Sequence, residues 1–283
     1  MQRIKLFMQQ CLLPFIGLLY LTLSLVACSN MRPLSDVDTT NLSQLENVKA
    51  PPVLHSSNTD SSLSGIRSKA LSDTAMSLGA QGSLAWASEQ MNAKLNEDRK
   101  YLDSIFNFNV LVLNHGVMPP VLEQGDNTLN LADPNTIRVA DRSYKIITQA
   151  HFATTPPNWR DYLLQTYSKP TLPDKTLLPK NFDEQKIWRQ SAKEGWQKGI
   201  EQSYSIFQQN LARLKRDYRG MILYRKLLEE HMISPPFVSR TSLGVTGDSE
   251  NMNINDQVLR IVALPALQTS SEHWQAVVVK NHD

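Results

Sequence analysis

Few residues in this chain have types and spacings suited to covalent or ligand chemistry. It holds two cysteines, Cys11 and Cys28, and six histidines, His55, His115, His151, His231, His273 and His282. No two histidines fall within one helical turn of each other, and neither HExxH nor CxxC occurs, so a zinc site built on those motifs is excluded. The run 248–256 offers oxygen donors in Asp248, Glu250, Asn251, Asn253, Asn255 and Asp256, the kind that hold Ca²⁺. It lacks the central glycine and closing bidentate glutamate of an EF-hand loop, which favours a solvated turn. GxSxG, GxxxxGK[ST] and GxGxxG are all missing, so a strained nucleophile elbow and the common phosphate cradles have no sequence support. The acid pairs Asp183-Glu184 and Glu229-Glu230 stand at the ends of a helical stretch, where caps and solvated surface are the simpler uses. No metal, cofactor or catalytic residue is expected.

One cysteine does carry a specific chemistry. Arg3 and Lys5 precede an apolar run, 12–25, which ends in Leu25-Val26-Ala27-Cys28. Positive n-region, apolar h-region and small residue before the cut are the parts of a signal peptide, and the closing cysteine makes the tetrapeptide a bacterial lipobox. Cleavage before Cys28 would leave its sulfur to carry a diacylglycerol thioether. Two other readings compete, an ordinary secretory signal and an uncleaved anchor. The apolar run is shorter than the roughly 20 residues of a spanning helix, and it contains Pro14 and Gly17. Ser29 follows the cysteine in place of the aspartate that retains lipoproteins at the inner membrane, which favours the outer membrane.

Charge gives little. The segment 1–27 holds two of the 29 basic residues and none of the 27 acidic ones, so the remainder is balanced and nothing asks for nucleic acid. Arg213, Lys215, Arg216 and Arg219, with only Asp217 against them, form a local basic stretch. It suits either an acidic partner or the wet face of an amphipathic helix. Arg213, Arg216 and Arg219 are the candidate partner-binding residues.

These residues sit on a chain that divides into a signal peptide (1–27), a flexible tether (28–65) and a folded body (66–283). The tether is rich in Ser, Asn, Asp, Thr and Pro and buries too little apolar surface to order itself; a hook that orders on a partner is the alternative. Apolar residues at helical spacing predict one or two helices over 66–105, with Trp86 in the core. Alternation predicts a strand over 106–114, followed by a turn-rich stretch at 123–130 and one or two strands over 137–152 with a break near Asp141. Pro156-Pro157 open a short helix to Tyr167, and 169–181 is a proline-rich loop. The stretch 183–233 is one long amphipathic helix capped by Asp183, or two broken at Gly220, with Gly195 and Gly199 spaced for close helix packing. Strands are expected at 237–245, 257–264 and 274–279. The fold class is α+β: long amphipathic helices packed with a small antiparallel sheet of mid-chain and C-terminal strands.

Several stretches resemble one family. They are 78–86 (LGAQGSLAW), 118–122 (MPPVL), 137–146 (IRVADRSYKI), 156–163 (PPNWRDYL), 210–225 and 244–247 (GVTG). In this order they resemble the DotC family, lipoproteins of type IVB (Dot/Icm) secretion systems and related plasmid conjugation systems. The resemblance implies a non-enzymatic outer-membrane core-complex subunit in a ring-shaped assembly. It would be anchored through lipidated Cys28, its body in the periplasm beside a DotD-like lipoprotein and a DotH-like channel subunit whose outer-membrane placement it supports. The alternative is a stand-alone envelope enzyme or binding module acting on peptidoglycan or a small ligand. Its mark would be a polar cleft with paired carboxylates or a perturbed histidine.

Overall fold

The computed structural model describes residues 37–51 and 64–275. Two long helices form its spine: α2 (Ser64–Glu97), preceded by the short α1 (Leu42–Glu46) and followed by α3 (Arg99–Ile105), and α5 (Phe182–Glu229). α5 is one unbroken helix of 48 residues, about 72 Å at 1.5 Å per residue. It passes through Gly220 because that glycine serves packing. A Cβ there would lie 2.6 Å from the Leu122 carbonyl oxygen and 2.7 Å from Val121 Cγ1. The cap is Asn181, whose side chain accepts from the Glu184 amide, and Asp183 sits in the first turn instead.

α2 and α5 run parallel. Arg67 pairs with Glu184, Ser72 with Ser191, and Gly195 abuts Met76, so contacts advance together along both helices. Small residues let the backbones close. A Cβ on Gly79 would lie 3.0 Å from the Trp196 amide nitrogen, and one on Gly199 would lie 2.9 Å from Ala80 Cα. The Gly195/Gly199 spacing therefore does what the sequence suggested. Trp188 is fully buried, while Trp86 is half-buried and tilted against Trp196 with ring centroids 6.0 Å apart.

The segment 38–50 corrects the flexible-tether expectation over its described part. Thr39, Thr40, Leu45 and Val48 are buried. Trp188 Nε1 donates to the Leu45 carbonyl at 2.8 Å, Gln185 Nε2 to Glu46 at 2.8 Å, and Thr39 Oγ1 to Pro170 at 2.7 Å. Gly82 makes room for the Thr39 backbone. Anchor side chains on α5, rather than the polar composition of the segment, decide its order.

The class is α+β, with strands in separate two-stranded antiparallel sheets. β1 (Val117–Met118) pairs with β4 (His151–Phe152), β2 (Val121–Asp133) with β3 (Thr136–Thr148), and β5 (Phe237–Gly247) with β6 (Met252–Ala263). Mid-chain and C-terminal strands do not share a sheet, which corrects the single-sheet expectation. The strand expected over 106–114 is instead two 3₁₀ turns, Phe108–Leu111 and Asn114–Gly116. Asn107 closes the first by accepting from the Asn109 amide, and Phe106, Phe108 and Leu111 point inward while Val110 is exposed. The turn-rich stretch 123–130 lies within β2, and β3 runs through Asp141 without a break. The short helix after Pro156-Pro157 is α4 (Trp159–Leu163), closed by an Asn158/Asp161 capping box. The strand expected at 274–279 falls mostly outside the described residues.

Candidate functional site

Cys28 lies outside the described residues. The basic stretch is on α5 where that helix meets α4. Arg213 stacks over the Tyr162 ring at 5.2 Å, and Arg216 Nη2 pairs with Asp217 Oδ1 at 2.8 Å. The Asp217 carboxylate also accepts from the Tyr162 hydroxyl at 3.2 Å. Burial, reinforced by the negative charge of Asp217, pushes the Tyr162 hydroxyl up to about 12. Below it Phe108 stacks on Tyr162, and Tyr218 meets Phe106 and Phe108 edge-on. Arg213 and Arg216 thus brace this joint while their heads remain exposed, as does that of Arg219 one turn on.

A groove of about 590 Å³ runs beside the same joint, lined by Met118, His151, Pro156, Pro157, Tyr162 and Asp217 among others. Its charged and aromatic polar groups bond within the fold: Tyr162 with Asp217, Asp161 with the Asn158 amide, and His151 Nδ1 with the Gln149 carbonyl at 3.1 Å. The acidic loop at 248–251 is likewise self-bonded. Asp248 Oδ1 accepts from the Glu250 and Asn251 amides, both at 2.8 Å, and these bonds hold its carboxyl below the usual range. Among the described residues no group of three or more His, Cys, Asp or Glu is placed to hold a metal ion, and no helix is long and apolar enough to cross a membrane.

Sequence reasoning placed β3, within the strands expected over 137–152, but missed β2 and so the hairpin. Leu129 opposes Val139 and Leu131 opposes Ile137, and the four side chains are 71%, 68%, 66% and 59% exposed respectively. The signal was present in Leu129-x-Leu131 and Ile137-x-Val139 on either side of Pro134-Asn135, a two-residue turn stitched by Asp133 accepting from the Asn135 amide at 2.8 Å. The β5–β6 hairpin also turns apolar side chains outward, in Val245, Met252 and Ile254. Monomeric proteins rarely expose contiguous apolar surface of this kind without a partner for it.

Residues 65–276 match the family described as type IV secretory system, conjugal DNA-protein transfer. The chain belongs to this conjugal type IV secretion family. The match runs from the first turn of α2 past the end of β6, so the helix pair and both hairpins lie within the matched residues, while Cys28 and the docked segment 38–50 lie outside them. None of the curated proteins matches the chain.

Proposed function

We propose that this protein is a non-enzymatic, outer-membrane lipoprotein of a secretion-system core complex, comparable to the DotC subunit of type IVB systems. Cys28 carries the lipid, and the helical body stands in the periplasm. The observation that supports this reading is outward apolar surface: two hairpins with exposed apolar residues beside a helix about 72 Å long. Membership of a conjugal secretion family supports it. A DotD-like lipoprotein and a DotH-like channel subunit are the proposed partners, with the exposed Arg213, Arg216 and Arg219 face as a second contact. The body holds the channel subunit at the outer membrane, and the acyl chains supply the anchor at about 0.8 kcal/mol per buried methylene.

Fractionation tests the proposal. Deleting the protein should mislocalise the channel subunit and abolish transfer, and re-expression should restore both. Normal channel localisation in the deletion strain would overturn the scaffold role.

A further inference from the structure

The β2–β3 hairpin is a charge-polarised ribbon. β2 carries Glu123, Asp126 and Asp133 and no basic residue, whereas β3 carries Arg138, Arg142 and Lys145 against Asp141 alone. Each strand has 13 residues, and among the described residues neither pairs with a third strand. Its register shifts only near its two ends, Asn127 of β2 is left-handed (φ 50°) between them, and the Leu122 backbone abuts Gly220 of α5 at its base. Two strands alone are marginal, and a third strand over an apolar face is the ordinary remedy. The β5–β6 hairpin differs in charge: β5 carries only Arg240, and β6 sets Arg260 against Asp256, so its two edges are not of opposite sign.

We propose that β3 of one copy pairs antiparallel with β2 of the next, so that copies of this chain join head to tail through their mid-chain hairpins. Within a hairpin Asp126 faces Arg142 and Glu123 faces Lys145. Hairpins standing side by side at one level repeat these pairs between copies, with the basic edge of each meeting the acidic edge of its neighbour. The same register sets Leu129 beside the neighbour's Val139, and the four exposed apolar residues become one continuous band. Such a contact uses two different edges, so it generates a closed ring where the rotation allows. It depends on strand geometry and charge and not on the lipid anchor.

The test uses the full chain in detergent-solubilised membranes, as two differently tagged copies. One carries Leu129→Cys and the other Val139→Cys, with the unsubstituted chain as baseline for the native cysteines. Oxidation should give a covalent dimer bearing both tags. Leu129→Cys in both copies should give none, because those positions would stand two strands apart, about 10 Å, beyond disulfide reach. Arg142→Glu in both copies should lower the cross-linked fraction by about fivefold, the upper range for a cross-strand charge pair. Absence of the mixed dimer, a Leu129→Cys self-dimer, or capture of Leu129→Cys by a different protein would each overturn the proposal. If the mixed dimer fails while the chain still supports transfer, this interface is wrong and the proposed function stands.

Discussion

Replacing Gly195 by alanine should loosen the helical spine. An added Cβ would fall on the Met76 carbonyl oxygen, 2.7 Å from its carbon and 2.8 Å from Met76 Cα. All three atoms are backbone of α2, so no side chain can swing aside. Ordinary carbon contacts are about 3.5–4.0 Å, so the helices must part by on the order of 1 Å. That movement also opens the packing at Gly79 and Gly199. Overpacking of this kind costs up to about 3 kcal/mol, while alanine recovers about 1 kcal/mol of helix propensity. The net loss is about 2 kcal/mol, which lowers Tm by roughly 4–8 °C in a body of this size. Gly65→Ala supplies the internal control, since nothing lies within 4 Å of its Cβ position, and it should leave Tm unchanged or slightly raised. Thermal unfolding by circular dichroism on the purified chain measures both. A Gly195→Ala variant as stable as the parent would refute close packing of α2 on α5.

Three other outcomes are expected. Trp188→Phe removes the donor to the Leu45 carbonyl, costs about 1–3 kcal/mol, and should make residues 38–50 cleavable by limited proteolysis before the rest of the body. Arg67 grips Glu184 through Nε and Nη2, the latter at 3.0 Å, and holds its carboxyl below the usual range. The stability this contributes is present above the ordinary glutamate pKa of about 4.3 and is lost as pH falls through the lowered folded value. Glu184→Gln should therefore flatten the acid limb of a stability–pH curve while costing about 1.5 kcal/mol at pH 7. Gly220→Ala should detach the base of β2 from α5, seen as faster amide exchange at Val121 and Leu122 with α5 itself unchanged.

The helices were legible because their apolar residues recur at helical spacing; Leu78, Ala85, Leu95 and Leu102 on α2 and α3 and Trp188, Ala192, Leu211 and Leu214 on α5 are buried, although Ile66, where the stripe was expected to begin, is 80% exposed. The C-terminal hairpin was legible from its glycines, but β6 starts at Met252, inside the polar run expected to be turn, because pairing with 244–247 holds Asn253, Ile254 and Asp256 in the strand. Phe106, Phe108 and Val110 alternate like a strand, but Asn107 folds the backbone into a 3₁₀ turn and sends Val110 outward. β2 hid behind Gln124-Gly125-Asp126-Asn127-Thr128, whose side chains meet mostly solvent, so pairing with β3 sets the strand with no periodicity to announce it. Whether mid-chain and C-terminal strands share a sheet is a matter of pairing partners, which strand patterns do not encode. The order of residues 38–50 depends on donors from Trp188 and Gln185, about 140 residues further along the chain. Of the candidate site, Arg213 and Arg216 were found by charge, but their bracing of Tyr162 and Asp217 needed the fold.

The most direct test is a tagged pull-down from detergent-solubilised envelope, with the Cys28→Ser variant in parallel. The wild-type chain should bring down a multi-subunit complex containing the channel subunit, and Cys28→Ser should leave the membrane fraction and lose that complex. A wild-type chain that purifies alone would contradict a structural role in the secretion machine.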